Sequence, residues 1–189
     1  MIDILGAVND FVLRFAHAPG LPPLSQSQLV RGWQNYGGLP PQTQEIAVLT
    51  LLEEIRHGTN VHRYRNGEEN GLIQTVARLG EHRVQLDFCS ASPNQAEYTT
   101  RTRAGIIEIL TRDRVGVNFF RSYGLSACYA DSVRPLPFID ETKQWITRYS
   151  VTLHLTGWSV VDLEQPAFTT LDLYLENVDE HHPSGSLSD

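Results

Sequence analysis

The sequence predicts an α+β protein, and three observations carry the prediction. First, two stretches alternate apolar and polar residues with the period of a strand. They are Val84, Leu86 and Phe88 against Arg83, Gln85 and Asp87, and Tyr149, Val151, Leu153 and Leu155 against Ser150, Thr152, His154 and Thr156. Second, Ser92-Pro93-Asn94-Gln95 has the makings of a helix start, with Ser at the cap, Pro at the first helical position and Gln closing a capping box. Third, Ile4, Val8, Phe11, Val12 and Phe15 recur at helical spacing near the N-terminus.

The N-terminal helix is expected over Met1 to Ala18, with Asp3 as its cap and Pro19-Gly20 as its stop. Residues 19 to 43 are rich in Pro, Gly, Gln and Asn; within them Leu29 to Asn35 reads as a short strand or a turn of helix, and Gly37-Gly38 and Pro40-Pro41 as loop. The apolar run Ile46 to Ile55 fits either a buried strand or a short helix. Leu72 to Cys89, interrupted by Gly80, reads as a long strand, and Asn66-Gly67 as a turn. The two stretches are expected to pair as an antiparallel ribbon around residues 57 to 71. The capped helix should run to about Arg112 and bury Ala96, Ile107 and Leu110. Val115 to Tyr123 has no clear pattern; Ser126 to Val133 reads as strand, and Arg134-Pro135-Leu136-Pro137 as loop. Gln144 to Leu163 is a strand longer than usual, which should bend at Gly157 or project beyond its sheet. Residues 1–179 are expected to form one domain and 180–189 a polar C-terminal tail.

The 189 residues suffice for one sizeable core, and a formal net charge of -7 argues against a protein that grips nucleic acid through phosphates. The chain has 14 Arg and a single Lys, Lys143. Either a GC-rich genome or an interface preference for planar, weakly hydrated guanidinium groups accounts for that bias. Cys89 and Cys128 lie far apart and are expected to be buried thiols of a cytosolic protein. The N-terminus is not expected to be a signal peptide, and no apolar run reaches the length of a membrane span.

Candidate chemistry is thin. His57 and His62 have no metal-ligand spacing and read as solvated turn histidines. Asp87, Cys89 and His154 supply the residue types of a nucleophile, base and orienter, but a catalytic cysteine needs an activating partner within reach, which spacing does not provide. No glycine-rich phosphate loop is present. No metal or cofactor is expected. Arg101, Arg103, Arg112 and Arg114 crowd the central helix, where Glu97, Glu108 and Asp113 offer local partners. A salt-bridged surface is one reading of that cluster and a subunit interface the other.

Glu45 to Asn60, Val84 to Phe88 with the helix that follows, Leu136 to Asp140, and Arg148 to Leu155 occur in an order and spacing that resembles the tail-terminator (neck) proteins of contractile-tailed bacteriophages. The resemblance runs from about Leu29 to Asp179. It implies a mixed, mostly antiparallel sheet flanked by helices, and makes Ile46 to Ile55 a strand. It also implies a structural virion protein assembled in the host cytoplasm. Such a protein forms a hexameric ring at the head-proximal end of the tail, ends the tube and sheath, and joins the tail to the head connector or collar. DNA passes through the bore without specific binding. No motif separates a terminator from another neck ring or a tail-completion protein. A small cytoplasmic enzyme using Asp87 and Cys89 is the alternative of a different class. On the ring reading, Arg101, Arg103, Arg112 and Arg114, with Asn66 and Glu68 at the hairpin tip, are the candidate contacts to neighbouring subunits or the tail. Replacing Arg101 and Arg103 by Glu should then block assembly and leave the fold intact.

Overall fold

The computed structural model describes residues 2–33, 45–67, 71–91, 96–140 and 143–165, with the side chains of residues 127 and 128 left aside. Glu68, the capping-box residues 92–95, the Gly/Pro-rich stretch after Trp33 and the tail 180–189 therefore lie outside the described residues. The chain forms one mixed, mostly antiparallel sheet with helices against one face, an α+β fold with an open sheet.

Helix α1 spans Ile4–Phe15 and is capped as expected, the Asp3 carboxylate accepting from the Gly6 N–H at 2.9 Å. It ends before Ala18, and Pro19-Gly20 becomes the turn of a bridge between Ala18 and Leu21. A 3₁₀ turn, Gln26–Gln28, leads into strand β1, Leu29–Arg31, so the strand alternative holds there.

Strands β2 (Ile46–Asn66, 21 residues), β3 (Leu72–Ser90, 19 residues) and β7 (Trp145–Gln165, 21 residues) dominate the sheet. β1 runs parallel to β2 through Leu29–Ala47 to Arg31–Leu49. β2 and β3 are antiparallel from Ile46–Cys89 to Asn66–Leu72, with irregularities at Leu52 and between His57 and Val61. β3 and β7 pair without interruption from Ser90–Thr147 to Leu72–Gln165.

The pairing thus continues well past the boundary expected near residue 57. The distal strands are wet on both faces, so no apolar alternation marks them, and backbone hydrogen bonding in the ladder holds them instead. At about 3.3 Å per residue each long strand extends roughly 65 Å, more than three times the span of an ordinary strand of about 17–20 Å. Only the proximal half is covered by helices. On β3, full burial stops at Gly80; beyond it Leu79 to Leu72 are only half-buried, and the β2 residues from Leu51 onward are almost all exposed. Gly80 and Gly157 face each other where the covered sheet becomes a free ribbon. A Cβ at Gly157 would lie 2.7 Å from Leu125 Cδ2, so glycine permits the edge strand to close in at that level. β7 accordingly projects beyond the covered sheet, one of the two outcomes expected for its length.

Helix α2 (Ala96–Arg112) and helix α3 (Arg114–Ser122) follow β3; α3 occupies the stretch whose pattern was unclear, capped by Asp113 accepting from the Val115 N–H at 2.9 Å. Its apolar face is short, and the cap marks where it begins. Strand β4 (Leu125–Ala130) lies on the far edge of β7 with an irregularity between Ala127 and Tyr129. Arg134-Pro135, expected as loop, forms a two-residue strand β5 against Ser150 and Tyr149. Pro is tolerated there because the strand lies at the edge. β6 (Phe138–Ile139) pairs with Ile146 and Trp145.

A single core forms where the helices meet the sheet. Ala47, Leu49, Val84, Leu86, Phe88, Val151, Leu153 and Leu155 pack from the sheet, and Val8, Phe11, Val12, Ala104, Ile107 and Phe120 from the helices. Each such Val, Leu, Ile or Phe contributes about 1.5–3 kcal/mol on burial. Phe11 joins α1 to α3 through Phe119 and Phe120, with ring centroids 5.2 and 4.6 Å away. Leu110 is only partly buried against this core. The corner between α2 and α3 is tight, because a Cβ on Gly116 would lie 2.1 Å from the Leu110 carbonyl oxygen. Gly116→Ala should therefore lose about 1–3 kcal/mol or more, read as a lower urea midpoint; an unchanged midpoint would show that the corner opens without strain.

Candidate assembly interface

The four candidate arginines part company in the structure. Arg101 and Arg114 are exposed, the first on α2 and the second at the start of α3. Arg112 is exposed but donates from Nη2 to the Ala130 carbonyl at 2.5 Å, tying the end of α2 to β4. Arg103 is only 3% exposed. Its Nη1 donates to the Ala16 carbonyl at the end of α1, and its Nε lies 2.9 Å from Glu45 Oε2, just before β2. Arg103 is thus an internal tie between α1, α2 and the entry to β2, not a surface group. The expectation that it can be reversed in charge without harm to the fold is corrected. Burial pushes the Glu45 carboxyl up, and the charge and hydrogen bond of Arg103 offset part of that rise.

The outward face of α2 holds a different set. Tyr98, Arg101, Gly105, Ile109 and Arg112 recur at three- and four-residue spacing, within an arc opposite the buried Thr100, Arg103, Ala104, Ile107 and Thr111. Tyr98 is 64% and Ile109 67% exposed, so the stripe mixes charge with large apolar surface. That spacing is present in the sequence, but only the buried face of the helix sets Tyr98 and Ile109 apart from the other apolar residues of α2.

The sheet face turned away from the helices is polar and largely paired within itself. His154 lies between two carboxylates, with Nδ1 2.8 Å from Glu81 Oε1 and Nε2 3.3 Å from Asp131 Oδ1. Glu81 also meets Arg83 at 3.2 Å and His57 at 3.5 Å. The hydrogen bond to His154, ahead of that to Arg83, holds the Glu81 carboxyl below the usual range. Farther along, Asp87 accepts from Arg148 and Gln85, each at 2.8 Å.

These pairings separate the residues of the imagined triad. Cys89 stands opposite Arg148 on β7, six positions from His154, or about 20 Å along the strand. The Cys89 thiol is buried and pushed up to about 12, first by burial and then by the Asp87 charge, so it is no thiolate at neutral pH. His57 and His62 are strand residues of β2 rather than turn residues; His62 Nδ1 pairs with Gln74 Nε2 at 2.9 Å.

The ribbon offers the most surface. Asn66, at its tip, pairs with Leu72 and is exposed. Tyr64, Val161 and Leu163 are exposed on the face continuing the helix side, and Val61, Trp158 and Val160 on the opposite one. At the other end of the sheet Leu136, Phe138, Ile139 and Trp145 are exposed around β6. The composition showed these residues but not that the strands carrying them outrun the helices.

A chain whose candidate chemistry is dispersed or self-paired, while apolar groups line a projecting ribbon, is built to work through its surfaces. It belongs to the class of structural assembly proteins. The model of the phage neck terminator protein family matches residues 3–181, and the chain belongs to that family. No curated protein matches it. The family places the protein in the neck or tail of a phage virion, among other tail and head proteins, and points away from catalysis. Among the described residues no helix is long and apolar enough to cross a membrane.

Proposed function

We propose that the protein forms a hexameric ring at the head-proximal end of a contractile tail, where it ends the tube and sheath and joins the tail to the head connector or collar. The free ribbon carries this reading. A protomer alone leaves three long strands exposed on two faces and two edges, a surface that natural proteins otherwise cover or blunt. Head-to-tail contacts between copies close such surfaces into a ring. The α2 stripe with Tyr98, Arg101 and Ile109 supplies a second contact, in which guanidinium and aromatic groups suit a desolvated interface. Arg114, Asn66 at the ribbon tip, and Glu68, which lies outside the described residues, belong to the contacts with neighbouring subunits or the tube. The net charge of -7 suits a bore through which DNA slides, since cationic walls would hold its phosphates.

Mass measurement and electron microscopy of the purified protein test the ring directly. The Tyr98→Glu, Arg101→Glu double variant should keep its circular dichroism spectrum and melting temperature while ring formation falls at least tenfold, as expected for loss of interface anchors. It should also fail to complement a phage lacking this protein. Infectious tails at normal yield from that variant would remove α2 from the interface.

A further inference from the structure

The ribbon has two open edges. Past Gly157, where β4 stops, β7 has β3 on one side and no strand on the other among the described residues. β2 is likewise uncovered past Leu49, where β1 stops. The two edges are opposite in charge. Residues 61–66 of β2 carry Arg63 and Arg65 and no Asp or Glu, whereas residues 158–165 of β7 carry Asp162 and Glu164 and no Lys or Arg. All four of these charged residues are exposed. Arg65 meets Asp162 at 3.1 Å across β3, but Arg63 and Glu164 make no ion pair among the described residues.

The edges are also level with each other. Through their shared partner β3, Val61, Arg63 and Arg65 stand level with Val160, Asp162 and Glu164, on the face turned away from the helices. His62 and Tyr64 stand level with Val161 and Leu163 on the other face.

We propose that the outer edge of β7, Val160 to Gln165, pairs in parallel with the outer edge of β2, Val61 to Asn66, of the next copy, so that one sheet runs from subunit to subunit. β2 and β7 both run antiparallel to β3 and hence parallel to each other. Rotation about an axis along the strands keeps that direction and the height of every residue. Level residues then meet: Val160 with Val61, Asp162 with Arg63 and Glu164 with Arg65 on one face, Val161 with His62 and Leu163 with Tyr64 on the other. Opposite charges at facing cross-strand positions stabilise such a pairing. A slip of one residue would put each acid on the face away from the arginines. A slip of two would leave one of the acids without a facing cation.

Two-fold pairing is opposed by the same residues. Joining two β2 edges would set arginine against arginine, and joining two β7 edges would set acid against acid; like charges directly opposite are destabilising. The edges complement each other and not themselves, which is the condition for a head-to-tail contact.

The inference rests on the ring reading and names the contact that closes it. Cysteine pairs in the full chain test it. Within one copy Tyr64 and Leu163 are separated by β3, two strand spacings or about 10 Å, too far for a disulfide; across the contact they are neighbours. The Tyr64→Cys, Leu163→Cys variant, oxidised and run on a denaturing gel, should give a ladder of covalent oligomers that reductant collapses. Tyr64→Cys with Glu164→Cys, whose side chains lie on opposite faces, should give about a tenth as much or less. Charge reversal is the second readout. Chains with Arg63→Glu and Arg65→Glu, or with Asp162→Arg and Glu164→Arg, should each self-associate about tenfold or more weakly than the wild type. Mixed in equal amounts they should assemble again, because each edge then meets a complementary edge of a different copy. Rings that form while the Tyr64–Leu163 cysteine pair stays uncrosslinked would overturn the edge pairing and leave the ring standing, as would charge variants that assemble normally or a loss that mixing does not repair. Another segment already seated on either edge would give that result. A wild-type chain that stays monomeric at every concentration would remove the ring reading and this inference with it.

Discussion

Arg103→Ala should destabilise the protein by about 3–5 kcal/mol, the range for breaking a buried ion pair from one side. The substitution strands two acceptors, the Ala16 carbonyl and the Glu45 carboxylate, where water does not reach them freely. Arg103→Glu should be worse, because it sets a second carboxylate against the first, and should leave little folded protein at neutral pH. The pH dependence identifies the cause. Burial raises Glu45 above its ordinary value in the folded state, with Arg103 opposing the rise. A carboxyl raised in this way favours the fold below its unfolded pKa, and that contribution is lost as pH rises through the folded value. Removing Arg103 raises the folded value further. The deficit of Arg103→Ala should therefore shrink on acidification toward about pH 4, measured from urea midpoints of variant and wild type at each pH. A deficit below about 1 kcal/mol, or one independent of pH, would show that Glu45 finds another partner.

Arg103 also shows how far the sequence is legible. Four arginines near one helix look alike in one dimension, and which of them turns inward depends on where Glu45 and the end of α1 arrive. Those partners lie far off in the chain and share no local pattern with α2. The strands Arg83–Phe88 and Arg148–Leu155 were legible because the helices cover one face, which imposes alternation on the residues. The distal ribbon was not, since solvent on both faces removes the constraint that writes a period into a sequence. Helix α1 was legible to its cap, Asp3, whereas helix α3 was not, because Asp113 stands among arginines and reads there as a salt-bridge partner rather than as the cap it is. The interface is the least legible part. Tyr98 and Ile109 become conspicuous only when the buried face of α2 is known.

Val151→Asp should unfold the domain. Val151 is 1% exposed, stands opposite Leu86 on β3, and faces the helices with Leu153 and Leu155. A carboxylate there has no partner among the aliphatic groups and rings of the core, so it must either stay charged without solvation or take up a proton at a pH where it would otherwise lose it. The loss should be on the order of 4 kcal/mol or more, a large part of the stability of a domain this size. Thr152→Asp is the control. Thr152 points to the opposite face, where it lines an open cavity of about 270 Å³ with Arg83, Arg134 and Gln85 as well as the carboxylates Glu53 and Asp131. A carboxylate at that site has cations and solvent within reach and should change the melting temperature by only a few degrees. The comparison tests register as well as burial, since sliding β7 by one residue would exchange the two faces. A Val151→Asp variant that melts with the wild type, or a Thr152→Asp variant that unfolds in its place, would put the strand the other way round and take Leu153 and Leu155 out of the core with it.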